Sequence, residues 1–482
     1  MSPKKNIKAE KRPSIASFIR ELKARTDIRD LTHHEVIKPR NPLYSKTKEP
    51  LSEETTSALT SLGIVKLYSH QALAIDLIRE GKNTVVMTPT ASGKSLIYNI
   101  PVLEDALIDT ASRALYIFPL KGLEQDQLKG LREFISAMDT PLKPTAEIYD
   151  GDTSQHKRKK IRNNPPNILI TNPDMLHLGI CAFHEKWEEF FKDLKYVVID
   201  ELHSYRGVIG SHMAQLIRRL RRIASHYGAE PVFITSSATI ANPQELSEEV
   251  TGLDFTLIKE DGAPASEKNF LFLDPPEGMS PYTLATKIFT SAVSQGLRTI
   301  AFTKSRKVTE LMHRWVVEAS PELEKKVSSY RAGYLPEERR EIEGRLFSGE
   351  LKGVISTSAL ELGIDIGGLD VCVLVGYPGT ISSTWQRAGR VGRGSNPALI
   401  IMVSLEDALD KYFMHRPEEF FTKATEAATI DRENYPILKA HLPPAASEVP
   451  IKKDEELYIG IDALDSLLEE LVVERKLWYS PT

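Results

Sequence analysis

Short apolar runs recur at regular intervals along the chain, and they restrict its fold more than any other feature of the sequence. Most are five or six residues long and rich in Val and Ile, and helical or loop segments separate them. Buried parallel strands connected by helical crossovers have this pattern. The sequence therefore predicts an α/β fold with strands at 84–88, 114–118, 167–171, 196–200, 232–237, 299–303, 326–330, 353–357, 371–375 and 398–403.

A polar region divides these runs into two groups of five. Residues 259–269 and 274–281 have the composition of a linker, so we expect two doubly wound parallel-sheet domains in tandem. A short helix is predicted at 14–25. "LDSLLEELVVERKLWY" near the C-terminus predicts a helix and then the start of a strand, as in part of a winged helix. The expected organisation is a flexible basic arm at 1–50, a first domain at 51–262, a second domain at 270–410 and a mainly helical extension at 411–482.

Composition excludes several classes of protein. The net charge of the 482 residues is −4, so nucleic acid would have to be bound through local basic clusters. No run of 18 apolar residues and no apolar N-terminal segment is present, which argues against a membrane span and a secretory signal. Cys181 and Cys372 are too few for a disulfide framework or a four-cysteine zinc site. These features favour a cytoplasmic protein.

The stretch "TPTASGKS" has the context of a phosphate-binding loop. It lies between a predicted strand and the helical pattern "LIYNIPVL", and free N–H groups at a helix N-terminus attract phosphate. Gly93 would allow close approach, Lys94 would reach the β- and γ-phosphates, and the Ser95 hydroxyl would bind Mg²⁺. The alternative is an ordinary strand-to-helix turn, and Thr88 stands where the general pattern has Gly. The predicted nucleotide-binding residues are Thr88, Pro89, Thr90, Ala91, Ser92, Gly93, Lys94 and Ser95.

Two carboxylates follow another predicted strand, in "YVVIDELHSY". Ligands of parallel sheets bind beyond the carboxyl ends of the strands, so these carboxylates and the loop can face one crevice. Asp200 would then hold Mg²⁺, Glu201 would accept a proton from the attacking water, and His203 would act as a relay. The alternative is a solvated acidic turn that caps the next helix.

Three arginines are clustered in "QRAGRVGR" at 386–393, where we expect the start of a helix. An arginine placed beside a phosphoryl group in transfer stabilises its developing charge. Arg390 and Arg393 are the candidates for this role. The alternative is a basic helix start that binds an anion or a sheet edge. A second basic run, "RRLRRI" at 218–223, is predicted to turn Leu220 and Ile223 to the core and its arginines to solvent.

In this order, the motifs resemble those of the superfamily-2 helicases. "SHQ" resembles the adenine-reading glutamine motif, "PLKGLEQDQ" and "TNPDML" resemble strand-binding motifs, and "SAT" resembles the coupling motif. More narrowly, "LYSHQALAI", "VVMTPTASGKSLIYNIPVL" and "SSATIANP" resemble the YprA-type helicases, also called mitomycin repair factor A. The resemblance spans about residues 33 to 480.

The resemblance implies two RecA-like domains and an ATP-dependent DNA helicase or translocase with ATP and Mg²⁺ as cofactors. Its implied substrates are single-stranded and tailed duplex DNA, along which it moves 3′ to 5′ in DNA repair. No association with a membrane is expected, and protein partners are left open. The implied roles are adenine reading by Gln71, nucleotide contact by Asp365, completion of the site by Gln386, Arg390 and Arg393, phosphate-backbone contact by Lys121, Thr171, Asn172, Thr303, Ser356 and Thr357, and coupling by His203, Ser237 and Thr239.

Two other functions are compatible with the motifs. One is an RNA-dependent ATPase of the DEAD-box kind, against which stand "DELH" and the sequence after residue 404. The other is a nucleic-acid-binding subunit whose motor does not turn over. Members of the resembled family continue into a region with four zinc-binding cysteines, which this sequence is expected to lack.

Overall fold

The chain folds into two compact units, each built from two separate segments. Leu43–Ala263 with Thr425–Thr482 form unit I, and Met1–Pro42 with Pro264–Ala424 form unit II. The chain therefore passes from one unit to the other three times. The structure is a computed structural model, and it describes residues 14–25, 31–361, 367–392, 396–452, 455–458, 461 and 463–479.

Helices and strands alternate along most of the described chain. The helices are α1 (Ile15–Ala24), α2 (Glu53–Ser61), α3 (Ser69–Arg79), α4 (Lys94–Ile108), α5 (Lys121–Ala137), α6 (Gln155–Asn163), α7 (Pro173–Met175), α8 (Glu188–Lys192), α9 (Gly207–His226), α10 (Pro243–Thr251), α11 (Pro281–Ser294), α12 (Arg306–Ala319), α13 (Pro336–Phe347), α14 (Ile381–Ala388), α15 (Ala408–His415), α16 (Pro417–Thr422), α17 (Tyr435–Glu448) and α18 (Leu464–Val473). The strands are β1 (Leu31–Ile37), β2 (Tyr44–Ser45), β3 (Leu67–Tyr68), β4 (Thr84–Met87), β5 (Arg113–Ile117), β6 (Ala146–Ile148), β7 (Ile168–Thr171), β8 (Leu194–Ile199), β9 (Val232–Ser237), β10 (Thr256–Ile258), β11 (Lys268–Leu273), β12 (Thr299–Phe302), β13 (Val327–Tyr330), β14 (Gly353–Ser356), β15 (Val371–Val375) and β16 (Ala398–Val403).

The main sheet of unit I has seven strands in the order β10-β4-β9-β8-β5-β7-β6, and all of them are parallel. The five strands predicted for this half are confirmed as β4, β5, β7, β8 and β9. Helices α3, α4 and α5 pack in the core on one face, and α9 and α10 pack in the core on the other. Burial on both faces explains why these strands are continuous apolar runs.

The sheet of unit II also has seven strands, in the order β1-β11-β16-β15-β12-β14-β13. The five strands predicted for this half are confirmed as β12 to β16, and they pair in parallel with their neighbours. Strand β11 begins inside the stretch that was expected to be a linker and fills the gap between its two parts. The linker prediction is therefore wrong for Lys268 and Asn269, which belong to this strand.

The segment before residue 43 belongs to unit II, and the prediction of a flexible arm is wrong for its described part. The predicted helix at 14–25 is confirmed as α1, which buries Ile15, Phe18, Ile19 and Leu22 in the same core as α11. Strand β1 pairs antiparallel with β11 at the sheet edge. The sequence of β1, "LTHHEVI", mixes polar and apolar residues because an edge strand keeps solvent contact, so it gave no apolar run.

The C-terminal segment is divided between the two units. Residues 411–424 belong to unit II and residues 425–482 to unit I, so the prediction of one separate extension from 411 to 482 is wrong. The predicted helix is confirmed as α18, but no strand follows it in the described residues 474–479. The polypeptide from Glu426 to Arg432 runs along α9 and α10, where Thr429 O accepts the Gly207 N–H at 2.8 Å.

Three arginines of α9 are buried by the C-terminal segment, which corrects their predicted exposure. Arg218, Arg219 and Arg222 are at most 5% exposed. Arg219 forms an ion pair with Glu448 of α17, and Arg222 donates to the carbonyl oxygens of Ala445 and Val449. Local periodicity could not reveal this, because the partners lie more than 220 residues away in sequence. None of the described helices combines the length and the apolar character that crossing a membrane requires.

The Arg219–Glu448 ion pair should be a large contributor to the stability of unit I. Replacement of one partner, Arg219→Met, leaves the Glu448 carboxylate buried without its counter-charge and should lower the free energy of unfolding by about 3 kcal/mol. The double variant Arg219→Met/Glu448→Leu should recover much of this loss. Urea unfolding followed by circular dichroism measures both, and equal stability of the wild type and the single variant would contradict the role assigned to the pair.

Stability should also depend on pH through His441 of α17. Burial and the charge of Arg219 lower the pKa of His441 to about 3, whereas the unfolded chain takes up this proton near the ordinary value of about 6.5. The unfolded state is therefore favoured as pH falls from about 6.5 towards 3. Over this range the midpoint of thermal unfolding should fall more steeply for the wild type than for His441→Gln; parallel curves would show that His441 makes no such contribution.

Candidate active site

The loop between β4 and α4 has the backbone that close approach to phosphate requires. Gly93 immediately precedes α4 and has a φ of 77°, and Ala91 has a φ of 65°. A Cβ atom at position 93 would lie 2.5 Å from Gln71 Nε2, so a larger residue would collide there. The N-terminus of a 15-residue helix therefore points into a tight, glycine-shaped turn.

Side chains of the loop fix its shape from within. The hydroxyls of Thr88 and Ser92 are 2.6 Å apart and both side chains are buried. The Lys94 ammonium group donates to the Thr88 carbonyl at 2.7 Å and to the Pro89 carbonyl at 3.0 Å. Thr88 therefore has a structural use at the position where a glycine was expected. Lys94 is held at the loop by carbonyl oxygens that phosphate oxygens can replace.

Gln71 supports the loop from α3. Its Nε2 donates to the Gly93 carbonyl at 2.9 Å, and its Oε1 accepts the Tyr68 N–H at 2.9 Å. The side chain is 2% exposed. Both ends of the amide are thus engaged within unit I, and adenine reading by Gln71 stays a prediction.

The two acidic residues lie directly after β8. Asp200 is 6% exposed, and burial together with the neighbouring Glu201 raises its pKa to about 6. The Ser236 hydroxyl donates to Asp200 Oδ1, and the Tyr98 hydroxyl donates to Oδ2 at 3.4 Å. Each carboxylate oxygen of Asp200 therefore has a defined partner.

His203 connects the carboxylate of Glu201 to the residues that follow β9. Glu201 has a φ of 52°, a left-handed conformation that is rare outside glycine. His203 Nδ1 lies 3.5 Å from Glu201 Oε2 and accepts the Ala238 N–H at 3.2 Å. Ala238 is the middle residue of the predicted coupling motif, and Ser237 and Thr239 flank it. The Ser237 hydroxyl donates to the Ala238 carbonyl at 2.8 Å.

These groups fit Mg²⁺ better than a metal that is held wholly by protein. Among the described residues, no group of three or more His, Cys, Asp or Glu side chains could hold a metal ion. Mg²⁺ is usually bound by one or two protein oxygens together with water and phosphate oxygens. Asp200 and Ser95 can supply such oxygens, and a bound cation would offset the burial that raises the Asp200 pKa.

The predicted nucleic-acid contacts of unit I differ in exposure. Lys121 is exposed at the start of α5, where its ammonium group pairs with Asp152 at 2.7 Å. Thr171 is fully buried and its hydroxyl donates to the Tyr149 carbonyl at 2.7 Å, so its contact with a strand stays a prediction. Asn172 is 8% exposed and donates to Glu124 Oε1 at 2.8 Å. Lys121 is therefore the candidate that this conformation leaves accessible.

The predicted contacts of unit II are mostly structural as well. The Thr303 hydroxyl is buried 2.7 Å from that of Thr309, and the Ser356 hydroxyl is buried and donates to the Thr357 carbonyl at 2.9 Å. Small hydroxyls at buried strand ends bond to nearby oxygens in this way, and the nucleic-acid contacts of Thr303 and Ser356 stay predictions. Thr357 is half-buried and accepts the Ala359 N–H.

The arginine motif lies at the end of α14, not at the start of a helix as predicted. Gln386 belongs to the last turn and is 7% exposed, and Arg390 follows the helix and is 4% exposed. Arg390 Nη2 donates to the Glu361 carbonyl at 2.7 Å, and Arg387 pairs with the Glu361 carboxylate at 2.8 Å. Asp365 and Arg393 lie outside the described residues.

Sequence reasoning missed several residues that shape these sites. Ser236 was part of a predicted strand, Tyr98 was part of an apolar helix pattern, and Glu361 lies in a stretch that had been matched only as a motif. Each acts through a partner that is distant in sequence, since Ser236 and Tyr98 contact Asp200 and Glu361 contacts Arg387. A local signal existed for Ser236, which is a polar residue near the end of a buried strand.

Comparison with known proteins finds one helicase family model in each of the two predicted domains. The family model of the DEAD/DEAH box helicases matches residues 68–246, and that of the helicase conserved C-terminal domain matches residues 282–395. The chain is 44% identical to the uncharacterized ATP-dependent helicase YprA of Bacillus subtilis over 476 residues, which is 96% of the chain and 63% of that protein. It is 39% identical to the ATP-dependent helicase hrq1 of Schizosaccharomyces pombe, covering 86% of the chain and 41% of that protein.

A solved structure matches at the same level. The DUF1998 helicase MrfA, crystallised with DNA and AMPPNP, superimposes with a TM-score of 0.90 and 44% identity, covering 95% of the chain and 65% of that protein. The chain thus spans less than two thirds of the length of these relatives.

Ser236 should lower the pKa of Asp200, the carboxylate that we assign to Mg²⁺. The hydrogen bond from Ser236 stabilises the charged form of Asp200, so Ser236→Ala should raise the pKa of Asp200. The acid limb of the pH–rate profile for nucleotide hydrolysis should then move to higher pH by about one unit. Thr235→Ala is the matched control, because Thr235 bonds to Ser247 instead. Turnover measured from pH 5 to 8 at saturating Mg²⁺ tests this, and an unshifted acid limb in Ser236→Ala would refute it.

Proposed function

The chain belongs to the superfamily-2 helicases of the YprA and MrfA type, and from that premise we propose that it is an ATP-dependent DNA helicase or translocase that moves 3′ to 5′. One observation carries the proposal. A glycine-shaped loop with Lys94 and Ser95 and a buried carboxylate pair, Asp200 and Glu201, follow strands of one parallel sheet whose carboxyl ends share an edge.

Residues of unit I would bind and cleave the triphosphate. Backbone N–H groups at the start of α4 and the Lys94 ammonium group bind phosphate oxygens, and Ser95 and Asp200 hold Mg²⁺. When bound, Mg²⁺ would neutralise negative charge on phosphate oxygens. Glu201 orients the attacking water and accepts its proton. The Tyr98 and Ser236 hydroxyls keep Asp200 charged and oriented.

If hydrolysis is to drive movement, it has to change the conformation of residues outside the nucleotide site. His203 is suited to this, because its Nδ1 accepts the Ala238 N–H and lies within 3.5 Å of Glu201. A change in the position of Glu201 would move His203 and, through the hydrogen bond of His203 to Ala238, would move Ser237, Ala238 and Thr239. The coupling role that the resemblance gave to His203, Ser237 and Thr239 is thus part of the proposal.

The arginine motif is proposed to take part in hydrolysis. We assign Arg390 to stabilisation of the charge on the transferring phosphoryl group, a role that is worth roughly 10³ to 10⁵ in rate. Gln386, Arg393 and Asp365 are proposed to complete the nucleotide contacts. The Glu361 carbonyl, which accepts from Arg390, would keep the guanidinium group in a fixed orientation.

Single-stranded and tailed duplex DNA are the proposed substrates, and DNA repair is the proposed role. MrfA has been crystallised with DNA, and Lys121 offers an exposed cation at the carboxyl edge of unit I. Contacts with the phosphate backbone are independent of sequence and weaken with salt. Cys181 and Cys372 are free and buried, which suits a reducing compartment such as the cytoplasm.

A strand-displacement assay tests direction and substrate together. Duplexes with a 3′ tail, with a 5′ tail and without a tail are offered as DNA, and the tailed forms also as RNA. We expect ATP-dependent displacement from 3′-tailed DNA. Displacement from 5′ tails alone would overturn the direction, and displacement of RNA alone would favour an RNA-dependent ATPase.

Lys94→Ala should abolish the motor while leaving the fold intact. Loss of the ammonium group should lower DNA-stimulated turnover by at least about 10², whereas Lys82→Ala, at an exposed lysine before β4, should not. Phosphate release in the presence and absence of single-stranded DNA measures the effect. If DNA binding persists but the wild type releases no phosphate, the protein is a nucleic-acid-binding subunit with an inactive motor.

A further inference from the structure

His70 lies between the phosphate loop and the place where the chain enters and leaves unit I. It is 1% exposed, and its Nε2 lies 3.1 Å from the Ser92 carbonyl in the loop. On the other side of the ring, Nδ1 accepts the Gly262 N–H at 3.1 Å. One imidazole therefore bonds to backbone groups of two segments that are 170 residues apart.

These partners fix the protonation of the ring. A backbone N–H can only donate and a carbonyl oxygen can only accept. Nδ1 is therefore unprotonated and Nε2 carries the proton. Asp261 Oδ1 lies 3.7 Å from Nδ1 and accepts the Ala263 N–H at 2.9 Å. The neutral ring thus has one acceptor turned to the segment at Gly262 and one donor turned to the loop.

The segment at Gly262 is paired with the other crossing of the chain. Leu43 N–H donates to the Gly262 carbonyl at 2.8 Å, and Ser69 N–H donates to the Leu43 carbonyl at 2.8 Å. A Cβ atom on Gly262 would lie 2.3 Å from the Ser69 hydroxyl, so the packing leaves no space there. Within unit II, Arg40 and Ala265 exchange two hydrogen bonds of 2.9 and 3.0 Å. The crossings at 42–43 and 263–264 are therefore held as a pair on both sides.

An aromatic stack strengthens the connection to His70. The His70 ring stacks on Tyr68, with centroids 5.9 Å apart and an interplanar angle of 15°, and Tyr68 stacks on Tyr44 at 5.6 Å. Tyr44 is the second residue after the first crossing. The crossing segments, His70 and the loop thus form one continuous set of contacts inside unit I.

We propose that His70 is a positioning residue that transmits the state of the phosphate loop to the paired chain crossings. When the loop closes on the phosphates, movement of the Ser92 carbonyl is passed through the ring to Gly262. It thereby reaches the crossings at 42–43 and 263–264, which are hydrogen-bonded to each other. This role deepens the proposed function, on which it rests, by naming a route from nucleotide binding to the chain segments that join the units.

Two substitutions separate the two bonds of His70. In His70→Asn the side-chain oxygen can take the place of Nδ1 and keep the Gly262 bond, while the donor to Ser92 is lost. In His70→Gln the side-chain N–H can take the place of Nε2–H and keep the Ser92 bond, while the acceptor for Gly262 is lost. His184→Asn is the matched control, because His184 is also buried and bonds on both sides, to Tyr227 and to the Glu448 carbonyl.

Nucleotide affinity and hydrogen exchange report on the two bonds separately. Binding of a fluorescent, non-hydrolysable ATP analogue should weaken about tenfold in His70→Asn and stay within about twofold of the wild type in His70→Gln. In the wild type, the analogue should change amide exchange in the peptide that covers residues 259–266. This change should be lost in His70→Gln, together with most DNA stimulation of kcat, and His184→Asn should alter only thermal stability.

The outcomes distinguish this inference from the proposed function. Equal loss of nucleotide affinity in both His70 variants, or a nucleotide-dependent exchange change that persists in His70→Gln, would overturn the role of His70. If nucleotide binding leaves the amide exchange of peptide 259–266 unchanged in the wild type, the role of His70 is also overturned, while DNA-stimulated hydrolysis is unaffected. A wild type that shows the exchange change without any DNA stimulation would contradict the proposed function and leave the His70 route standing.

Discussion

The parallel direction of all strands in the unit I sheet is the constraint on which the candidate site depends. It brings every strand's carboxyl end to one edge, so the first polar residues after the buried runs become neighbours. Strand β9 lies between β4, which leads to the phosphate loop, and β8, which leads to Asp200. Ser236 near the end of β9 can therefore bond to Asp200, and Ala238 just beyond it can bond to His203.

Hydrogen bonds from outside the loop add to those within it in giving the phosphate-binding loop its shape. Gln71 and His70 hold two consecutive carbonyls of the loop, those of Gly93 and Ser92. Such bonds are strong in a buried setting and expensive to leave unmade. A cradle that is already shaped needs little reorganisation when charge develops on a phosphoryl group, which is the usual source of electrostatic catalysis.

Much of the fold followed from the sequence because strands buried on both faces must be apolar throughout. Most of the ten predicted strands were found for this reason, although β13 is an edge strand that contains two serines. The loop at Lys94 was found because its glycine and lysine have local causes. What failed depended on distant partners. The arginines of α9 are buried because residues more than 220 positions away pair with them, and β1 was missed because an edge strand has mixed polarity. Thr171 and Ser356 occupy the expected strand ends, but nearby carbonyls take their hydroxyls.

The central claim is that the proposed hydrolysis of ATP needs the guanidinium group of Arg390. Single-turnover hydrolysis of ATP by Arg390→Ala, with nucleotide affinity measured separately, tests it most directly. The account predicts that affinity changes by less than about tenfold while the rate falls by about 10³ or more. A variant that cleaves ATP at the wild-type rate, with its fold intact, would contradict the account.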